Sequence, residues 1–159
     1  MVALGLMPQL PGLGALPPAF GPAIDHALEL CDLAGRRDQP ATTLSGGEFA
    51  RAMLARAIVG NPAILIVDEP ITGLDPRHAM ETMALLARIA GEGRLVIASV
   101  HDLTLAARHA GRFLALVDGR LQADAEQLTA ATIHSIFGVT AMPVGSGDSR
   151  GFTFLPTGK

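Results

Sequence analysis

The sequence predicts an α/β protein with a largely parallel sheet flanked by helices. Three short apolar runs, at residues 63–67, 94–100 and 113–117, indicate strands. Segments with apolar residues at helical spacing alternate with these runs. A continuous apolar run is typical of a parallel strand covered on both faces, and alternating strands and helices build sheets of that kind.

The bulk composition fits one globular domain. The chain has 159 residues, of which 49% are hydrophobic and 17% charged, enough apolar material for a core. The net charge of −3 argues against a general nucleic-acid binder, which would carry a basic surplus. Cys31 is the only cysteine, so we expect no internal disulfide, a reduced compartment and a buried, unreactive thiol.

The first elements expected are an irregular stretch and a helix. Residues 1–21 are rich in Pro and Gly, and these prolines exclude a membrane-spanning helix there although residues 2–24 carry no charge. No Lys or Arg precedes the apolar run, which argues against a secretory signal. We expect a helix over residues 22–34, ended by Gly35, and then a polar link over residues 36–44.

A second helix is expected to begin after Ser45. Ser45 is a suitable N-cap, and Glu48 stands three residues later, at the spacing of a capping box. The helix should run to about Val59, where Gly60-Asn61-Pro62 stops it. The remaining elements expected are, in order, a strand at 63–67, a helix at 76–90, a strand at 94–100, a helix at 103–109, a strand at 113–117, a turn at Asp118-Gly119 into a strand at 120–123, a helix at 126–137, and short strands and loops after Val139.

The most specific string in the chain is Leu44-Ser45-Gly46-Gly47-Glu48, at the start of the second helix. The free backbone N–H groups and the dipole of a helix N-terminus favour an anion. Gly46 and Gly47 let the backbone approach a phosphate closely, and Ser45 offers a hydroxyl donor. The alternative is an ordinary capped helix start, because Ser-x-x-Glu is common in proteins.

A second motif turns the strand at 63–67 directly into Asp68-Glu69. Two adjacent carboxylates at the carboxyl end of a strand lie where open α/β sheets bind ligands. The alternative is a solvated acidic turn before Pro70. The Ser-Gly-Gly string 23 positions upstream favours the ligand site.

Two weaker motifs follow. Asp75 stands in Gly73-Leu74-Asp75-Pro76, where it suits the N-cap of the helix that begins at Pro76. His101 follows an apolar strand, 33 residues after Asp68. Each motif alone has an ordinary structural explanation, so their meaning depends on their order in the chain.

Together the four motifs resemble those of ATP-binding-cassette (ABC) ATPases, in the same order and spacing. The string at 44–48 resembles the signature motif, residues 63–70 the Walker B strand, residues 73–76 the D-loop and His101 the switch histidine. The resemblance covers about Val2 to Val139. It implies the C-terminal part of a P-loop NTPase domain, with a partial helical subdomain at residues 1–44 and the signature helix, Walker B half and C-terminal strands at residues 45–159.

The resemblance also implies ATP and Mg²⁺ as cofactors. Asp68 would hold the Mg²⁺ through water, Glu69 would act as general base on the attacking water, and His101 would contact the γ-phosphate. These three residues would act on the nucleotide of their own subunit.

Other residues would act across a head-to-tail dimer of two ABC ATPase subunits. Ser45, Gly46 and Gly47 would contact the nucleotide held by the phosphate-binding loop of the second subunit. Asp75 would link the two nucleotide sites.

The chain lacks the lysine that such a loop requires. No lysine precedes Lys159, and Gly158-Lys159 has neither the earlier glycine nor the following Ser or Thr of G-x-x-x-x-G-K-[ST]. We expect the phosphate-binding loop, the adenine-stacking aromatic and the Q-loop glutamine to precede Met1, so that the chain is N-terminally truncated and inactive alone. Phe49 and Gly73 also depart from the residues usual in the family.

Within the family the chain most resembles ATPases that drive import of ferric siderophores, haem or cobalamin. Val2-Ala-Leu-Gly5 with Pro8, Ser99–Ala107 and Ile136–Val139 carry this resemblance. It implies an ATP-hydrolysing subunit that partners a membrane permease and a second ATPase subunit, with no nucleic acid, in the cytoplasm on the inner face of the membrane.

Two alternatives remain. One is a soluble, non-transport ABC ATPase acting on DNA or ribosomes. Relatives that act in DNA repair and chromosome maintenance carry long coiled coils before the signature, whereas this chain is Pro-rich there and has an acidic balance. A non-catalytic fragment that only donates its signature to a partner would have no need of Asp68, Glu69 and His101.

Overall fold

Helices and short strands alternate along the chain, which confirms the predicted α/β class. The computed structural model describes residues 1–10, 16–147 and 150–155. Part of the stretch expected to be irregular, at residues 11–15, and the terminal Gly158-Lys159 lie outside the described residues. The α-helices are α1 (Gly21–Leu30), α2 (Gly46–Ile58), α3 (Pro76–Gly91), α4 (Leu103–His109) and α5 (Ala130–Phe137). The strands are β1 (Ile64–Val67), β2 (Leu95–Ala98), β3 (Phe113–Val117), β4 (Arg120–Ala125), β5 (Thr140–Val144) and β6 (Gly151–Leu155).

The chain divides into two compact units, Met1–Ser99 and Val100–Lys159. This boundary differs from the division at residue 44, which follows from the family resemblance and stays a prediction. The first unit contains α1–α3 with β1 and β2, and the second contains α4, α5 and the remaining four strands.

The start of the first unit is more ordered than the sequence predicts. A 3₁₀-helix spans Val2–Gln9 with Pro8 inside it, and it packs against α2. The contact is close because Gly5 has no side chain: a Cβ there would lie 1.9 Å from the backbone oxygen of Arg56. The Gln9 side-chain amide also donates to the Gly60 carbonyl at 2.8 Å.

The prediction that α1 reaches Ala34 and ends at Gly35 was wrong. The helix ends at Leu30, because the backbone N–H of Leu33 donates to Leu28 at 2.8 Å and that of Asp32 donates to Glu29 at 3.0 Å. These bonds form a Schellman cap with Asp32, at φ 53°, in the left-handed position that Gly usually takes. Burial of the Leu33 side chain accompanies the turn.

Strands β1 and β2 form a parallel pair, in which Ile64 faces Leu95 and Ile66 faces Ile97. Leu65, on the opposite face of β1, is buried, and α3 packs against β2. The sequence predicts coverage of both faces, and this was wrong for the described residues. Ile64 is 58% exposed and Ile66 72% exposed, with Leu95 and Ile97 also exposed on the same face.

The second unit is built on two antiparallel pairs. Strands β3 and β4 join through a turn in which Asp118 and Gly119 both have positive φ, as the sequence predicts. Strands β5 and β6 pair between α4, which contacts β6, and α5, which contacts β5. Parallel pairing in the described part of the chain is thus confined to β1 and β2, and the described strands form three two-stranded sheets rather than the largely parallel sheet that the alternation predicts.

Helix α5 begins later than predicted. Strand β4 continues to Ala125, and α5 starts at Ala130 rather than at residue 126. Thr129 is its N-cap and accepts a hydrogen bond from the Thr132 backbone at 3.1 Å. The capping threonine therefore sets the first turn of this helix.

Candidate functional site

The acidic pair lies at the carboxyl end of the parallel strands. Asp68 directly follows β1, and Ser99 directly follows β2, so both stand one step beyond the last registered pair, Val67 and Ala98. Asp68 and Glu69 are both exposed to solvent. The carboxylates thus occupy the sheet edge at which open α/β sheets bind ligands.

Ser99 connects the two acidic residues, and sequence reasoning missed it as a site residue. Its hydroxyl donates to Asp68 Oδ1 at 2.5 Å and accepts from the backbone N–H of Glu69 at 2.8 Å. The register of β1 and β2 could have indicated it, because a hydroxyl directly after β2 must face the residue directly after β1.

Glu69 is held in an uncommon backbone conformation. Its φ of 47° lies in the left-handed region, which a non-glycine residue seldom adopts without support from its surroundings. Thr72 supplies part of that support: its hydroxyl donates to Glu69 Oε2 at 2.9 Å, and its backbone N–H donates to the Glu69 carbonyl at 3.1 Å. The turn after β1 therefore fixes both the backbone and the carboxylate of Glu69.

Ser45, Gly46 and Gly47 start helix α2 as predicted. The capping box is complete: Glu48 N–H donates to Ser45 Oγ at 3.3 Å, and Ser45 N–H donates to Glu48 Oε2 at 2.8 Å. The hydrogen bond from the Ser45 backbone N–H is the main cause that holds the pKa of Glu48 below its ordinary value, and the Ser45 side chain and Arg36, at 2.8 Å, add to the effect. Ser45 Oγ is an acceptor in this cap, and a hydroxyl that accepts a hydrogen bond also carries one proton that it can donate.

The loop before α3 lies beside the start of α2. A Cβ on Gly47 would be 3.5 Å from Leu74 Cδ2. Gly73, which departs from the family pattern, has φ 76°, a conformation that glycine adopts without strain. Asp75 caps α3 through the His78 N–H at 3.1 Å, and the side-chain hydrogen bond from His78 is the main cause that lowers the pKa of Asp75.

His101 belongs to the second compact unit. It is exposed and precedes α4, whose N-cap Asp102 accepts from the Leu105 N–H at 2.8 Å. The structure brings Asp68, Glu69 and Ser99 together in the first unit, and it also places Gly47 near the Asp75 loop there. The role of His101 stays a prediction.

The oxygen donors at the sheet edge fit Mg²⁺ in its usual binding mode. No group of three or more His, Cys, Asp or Glu side chains within residues 1–10, 16–147 and 150–155 could hold a metal ion. Mg²⁺ generally keeps several waters and binds through one or two carboxylates plus substrate phosphates. The exposed Asp68 carboxylate, oriented by Ser99, meets that requirement.

Comparison with known proteins gives a consistent family. The family model described as ABC transporter matches residues 15–72. The hemin import ATP-binding protein HmuV of Bradyrhizobium diazoefficiens is 41% identical over 133 residues, which are 77% of this chain and 50% of that protein. The phosphonates import ATP-binding protein PhnC 2 of Roseobacter denitrificans is 41% identical over 124 residues, 74% of this chain and 46% of that protein.

The fold is also that of a solved transporter structure. An inward-facing conformation of a putative metal-chelate type ABC transporter superposes with a TM-score of 0.84 at 20% identity, over 98% of this chain and 65% of that one. The chain spans about half the length of the curated relatives that it matches. Within the described residues, no helix is both long and apolar enough to cross a bilayer.

Proposed function

Since this chain belongs to the family of ABC transporter ATP-binding domains, we propose that it forms the signature and Walker B part of an importer ATPase. The observation that carries the proposal is the junction of Asp68 and Glu69 with Ser99 at the end of the parallel strands. In this reading residues 45–159 form the Walker B half, and residues 1–44 form part of a helical subdomain.

Asp68 and Glu69 have separate roles in the proposed hydrolysis. Asp68 would hold Mg²⁺ through water, and the chemistry that such an ion would supply there is neutralisation of phosphate charge. Glu69 accepts the proton of the attacking water as general base. Its turn, fixed by Thr72, keeps the carboxylate directed to one place rather than sampling several.

The start of α2 contributes to a nucleotide held by another subunit. The Ser45 hydroxyl and the backbone N–H groups of Gly46 and Gly47 donate to phosphate oxygens, and the helix dipole favours the negative charge. Asp75 links the two sites across the dimer, and His101 contacts the γ-phosphate. The second subunit, a copy of the full-length protein, supplies the phosphate-binding loop for this contact.

The chain acts with a membrane permease on the inner face of the cell membrane. The names of its relatives support import, since one is a hemin importer ATPase and the other a phosphonate importer ATPase. Their equal identity gives no choice of cargo. We propose an iron complex or cobalamin from the resemblance of Val2–Gly5, Ser99–Ala107 and Ile136–Val139 to importers of that class.

ATP hydrolysis with and without a supplied phosphate-binding loop tests the proposal. The purified chain alone should give no measurable turnover, because no lysine precedes Lys159. Mixed with the N-terminal half of the Bradyrhizobium relative, it should hydrolyse ATP, and Glu69→Gln should abolish that activity. Glu126→Gln, an exposed change of the same kind in the second unit, is the matched control. Turnover by the chain alone that Glu69→Gln removes would refute the expectation that the isolated chain is inactive, and no turnover in the mixture would count against the proposal.

The two alternative functions predict different results. A non-catalytic signature donor would support hydrolysis by a partner even with Glu69→Gln, and would lose that ability only with Ser45→Ala. A soluble, non-transport ABC ATPase would fail to co-purify with any permease when its longer form is expressed. The hydrogen-bonded acidic pair favours the catalytic importer over the signature donor.

A further inference from the structure

We propose that Ser99 is a positioning residue that orients Asp68 and Glu69 together. The inference deepens the proposed function and rests on it for the roles of the two carboxylates. It rests on this chain's own geometry for the contacts. A single hydroxyl lies between the side chain of Asp68 and the backbone of Glu69, at 2.5 Å and 2.8 Å.

The Ser99 hydroxyl donates a hydrogen bond to one of the two groups and accepts one from the other. Its one proton goes to Asp68 Oδ1, and one of its lone pairs receives the Glu69 N–H. Because a hydroxyl has only one proton, the bond to Asp68 fixes the rotation of the Ser99 side chain. The position of the Asp68 carboxylate and that of the Glu69 peptide are thereby coupled through one oxygen atom.

The coupling determines which way each carboxylate faces. Engagement of Oδ1 limits rotation of the Asp68 carboxylate and so directs Oδ2, the oxygen that remains for a hydrated cation. The bond to the Glu69 N–H stabilises the turn that carries its φ of 47°. Outer partners of this kind commonly change metal affinity about 10–100-fold when they are removed, so we expect a change of at least about threefold here.

The strand register places Ser99 where its hydroxyl can reach Asp68. Ser99 N–H continues the ladder by donating to the Val67 carbonyl at 3.1 Å, which brings the Ser99 backbone beside the first residue after β1. A short side chain with an oxygen on Cβ reaches Asp68 from there. Threonine carries the same oxygen, whereas valine has the same shape without it, so these two substitutions separate the hydroxyl from the volume.

The test uses the whole chain, labelled with ¹⁵N, and needs no ATP hydrolysis. Variants Ser99→Ala, Ser99→Thr and Ser99→Val are compared with the natural chain, and Ser135→Ala, on the exposed face of α5, is the matched control. One readout is the exchange rate of the Glu69 amide hydrogen. The other is the Mn²⁺ concentration that half-broadens the amide resonances of Asp68 and Glu69.

Ser99→Ala and Ser99→Val should each speed Glu69 exchange about tenfold and raise the half-broadening Mn²⁺ concentration at least about threefold. Ser99→Thr and Ser135→Ala should match the natural chain. If Ser99 acted only through its volume, Ser99→Thr and Ser99→Val would give the same Mn²⁺ titration. A difference between these two variants at equal melting temperatures would therefore identify the hydroxyl as the cause. Equal Glu69 exchange in Ser99→Ala and the natural chain would overturn the proposal.

The two proposals can fail separately. If Mn²⁺ broadens no resonance near Asp68 in the natural chain, the metal role in the proposed function is wrong. Faster Glu69 exchange in Ser99→Ala, restored by Ser99→Thr, would still establish the positioning role. A Glu69 exchange rate that rises by the same factor in Ser99→Thr and in Ser99→Val would reject the positioning role.

Discussion

The imidazole Nδ1 of His78 lies 2.5 Å from Asp75 Oδ2, and the His78 backbone N–H donates to Asp75 Oδ1 at 3.1 Å. The first turn of α3 is therefore closed twice by the same pair. The other ring nitrogen of His78 lies 3.6 Å from Asp32 Oδ2, in the cap of α1. The imidazole thus lies between the carboxylates of Asp75 and Asp32, close to the cap of α1.

The lowered pKa of Asp75 predicts a loss of stability in acid. The side-chain hydrogen bond from His78 lowers this pKa in the folded chain. The ionised Asp75 carboxylate therefore stabilises the folded chain above the ordinary pKa of 3.8, and this stabilisation is lost as the pH falls through the folded pKa. Asp75→Asn keeps a good N-cap but cannot titrate, so its unfolding free energy should fall less below about pH 3.8.

Thermal unfolding between pH 6 and pH 3 measures this difference. Asp38→Asn, which removes the same charge at another exposed position, is the control and should follow the natural chain. Parallel curves for Asp75→Asn and the natural chain would contradict the prediction.

Gly5→Ala should destabilise the first unit. The added methyl would lie 1.9 Å from the Arg56 oxygen and 2.6 Å from Val59 Cγ1, and a backbone atom cannot move aside as a flexible side chain can. Overpacking of this kind costs about 1–3 kcal/mol or more. Gly91→Ala, at the end of α3 with no atom within 4 Å of the new methyl, should instead be neutral or stabilise by about 0.5–1 kcal/mol. Urea denaturation of both variants, with unchanged m-values, checks the contrast.

Ser45 has two separable tasks, capping and phosphate contact. Ser45→Ala removes the acceptor for Glu48 N–H and should cost about 1 kcal/mol in urea denaturation. Asn is as good an N-cap as Ser, so Ser45→Asn should keep the stability while losing the hydroxyl. If the proposed function holds, both variants should lose ATP hydrolysis in the complemented assay. Full activity of Ser45→Asn would argue that only the cap matters.

The exposed face of β1 and β2 predicts self-association of the isolated chain. Four aliphatic side chains lie together on it: Ile64, Ile66, Leu95 and Ile97. Contiguous exposed apolar surface of this sort favours association. Ile66→Lys should reduce the apparent mass in concentration-dependent light scattering, while Met80→Lys, an equal charge at an exposed position of α3, should leave it nearly unchanged. Equal effects of the two variants would show that charge alone acts.

Local sequence rules predicted the elements whose capping residues are distinctive. Ser45 with Glu48, Asp75 with Pro76, and the Asp118-Gly119 turn lie as expected because each is set by side chains within a few positions. The end of α1 was missed for the opposite reason. The burial of Leu33 selects a Schellman cap in which Asp32 takes the place of glycine, and no local rule identifies that residue.

The candidate site likewise contains residues that the local sequence indicates and one residue that only the fold brings in. Asp68 and Glu69 could be found from the strand that precedes them, since both follow β1 along the chain. Ser99 lies 31 positions from Asp68, and only the strand register brings the two together. The exposure of Ile66 likewise depends on what covers the sheet, which a run of apolar letters does not specify.

The reaction rate of Cys31 can report local opening of the folded chain. Burial raises the pKa of its thiol to about 12, although the charge of Arg51 acts the other way, so the reactive thiolate is scarce in the folded state. Being the sole cysteine and buried, it should react with a maleimide reagent only when the surroundings of the α1 C-cap open. The labelling rate at a fixed pH would then report how often this part of the chain opens, without an engineered cysteine.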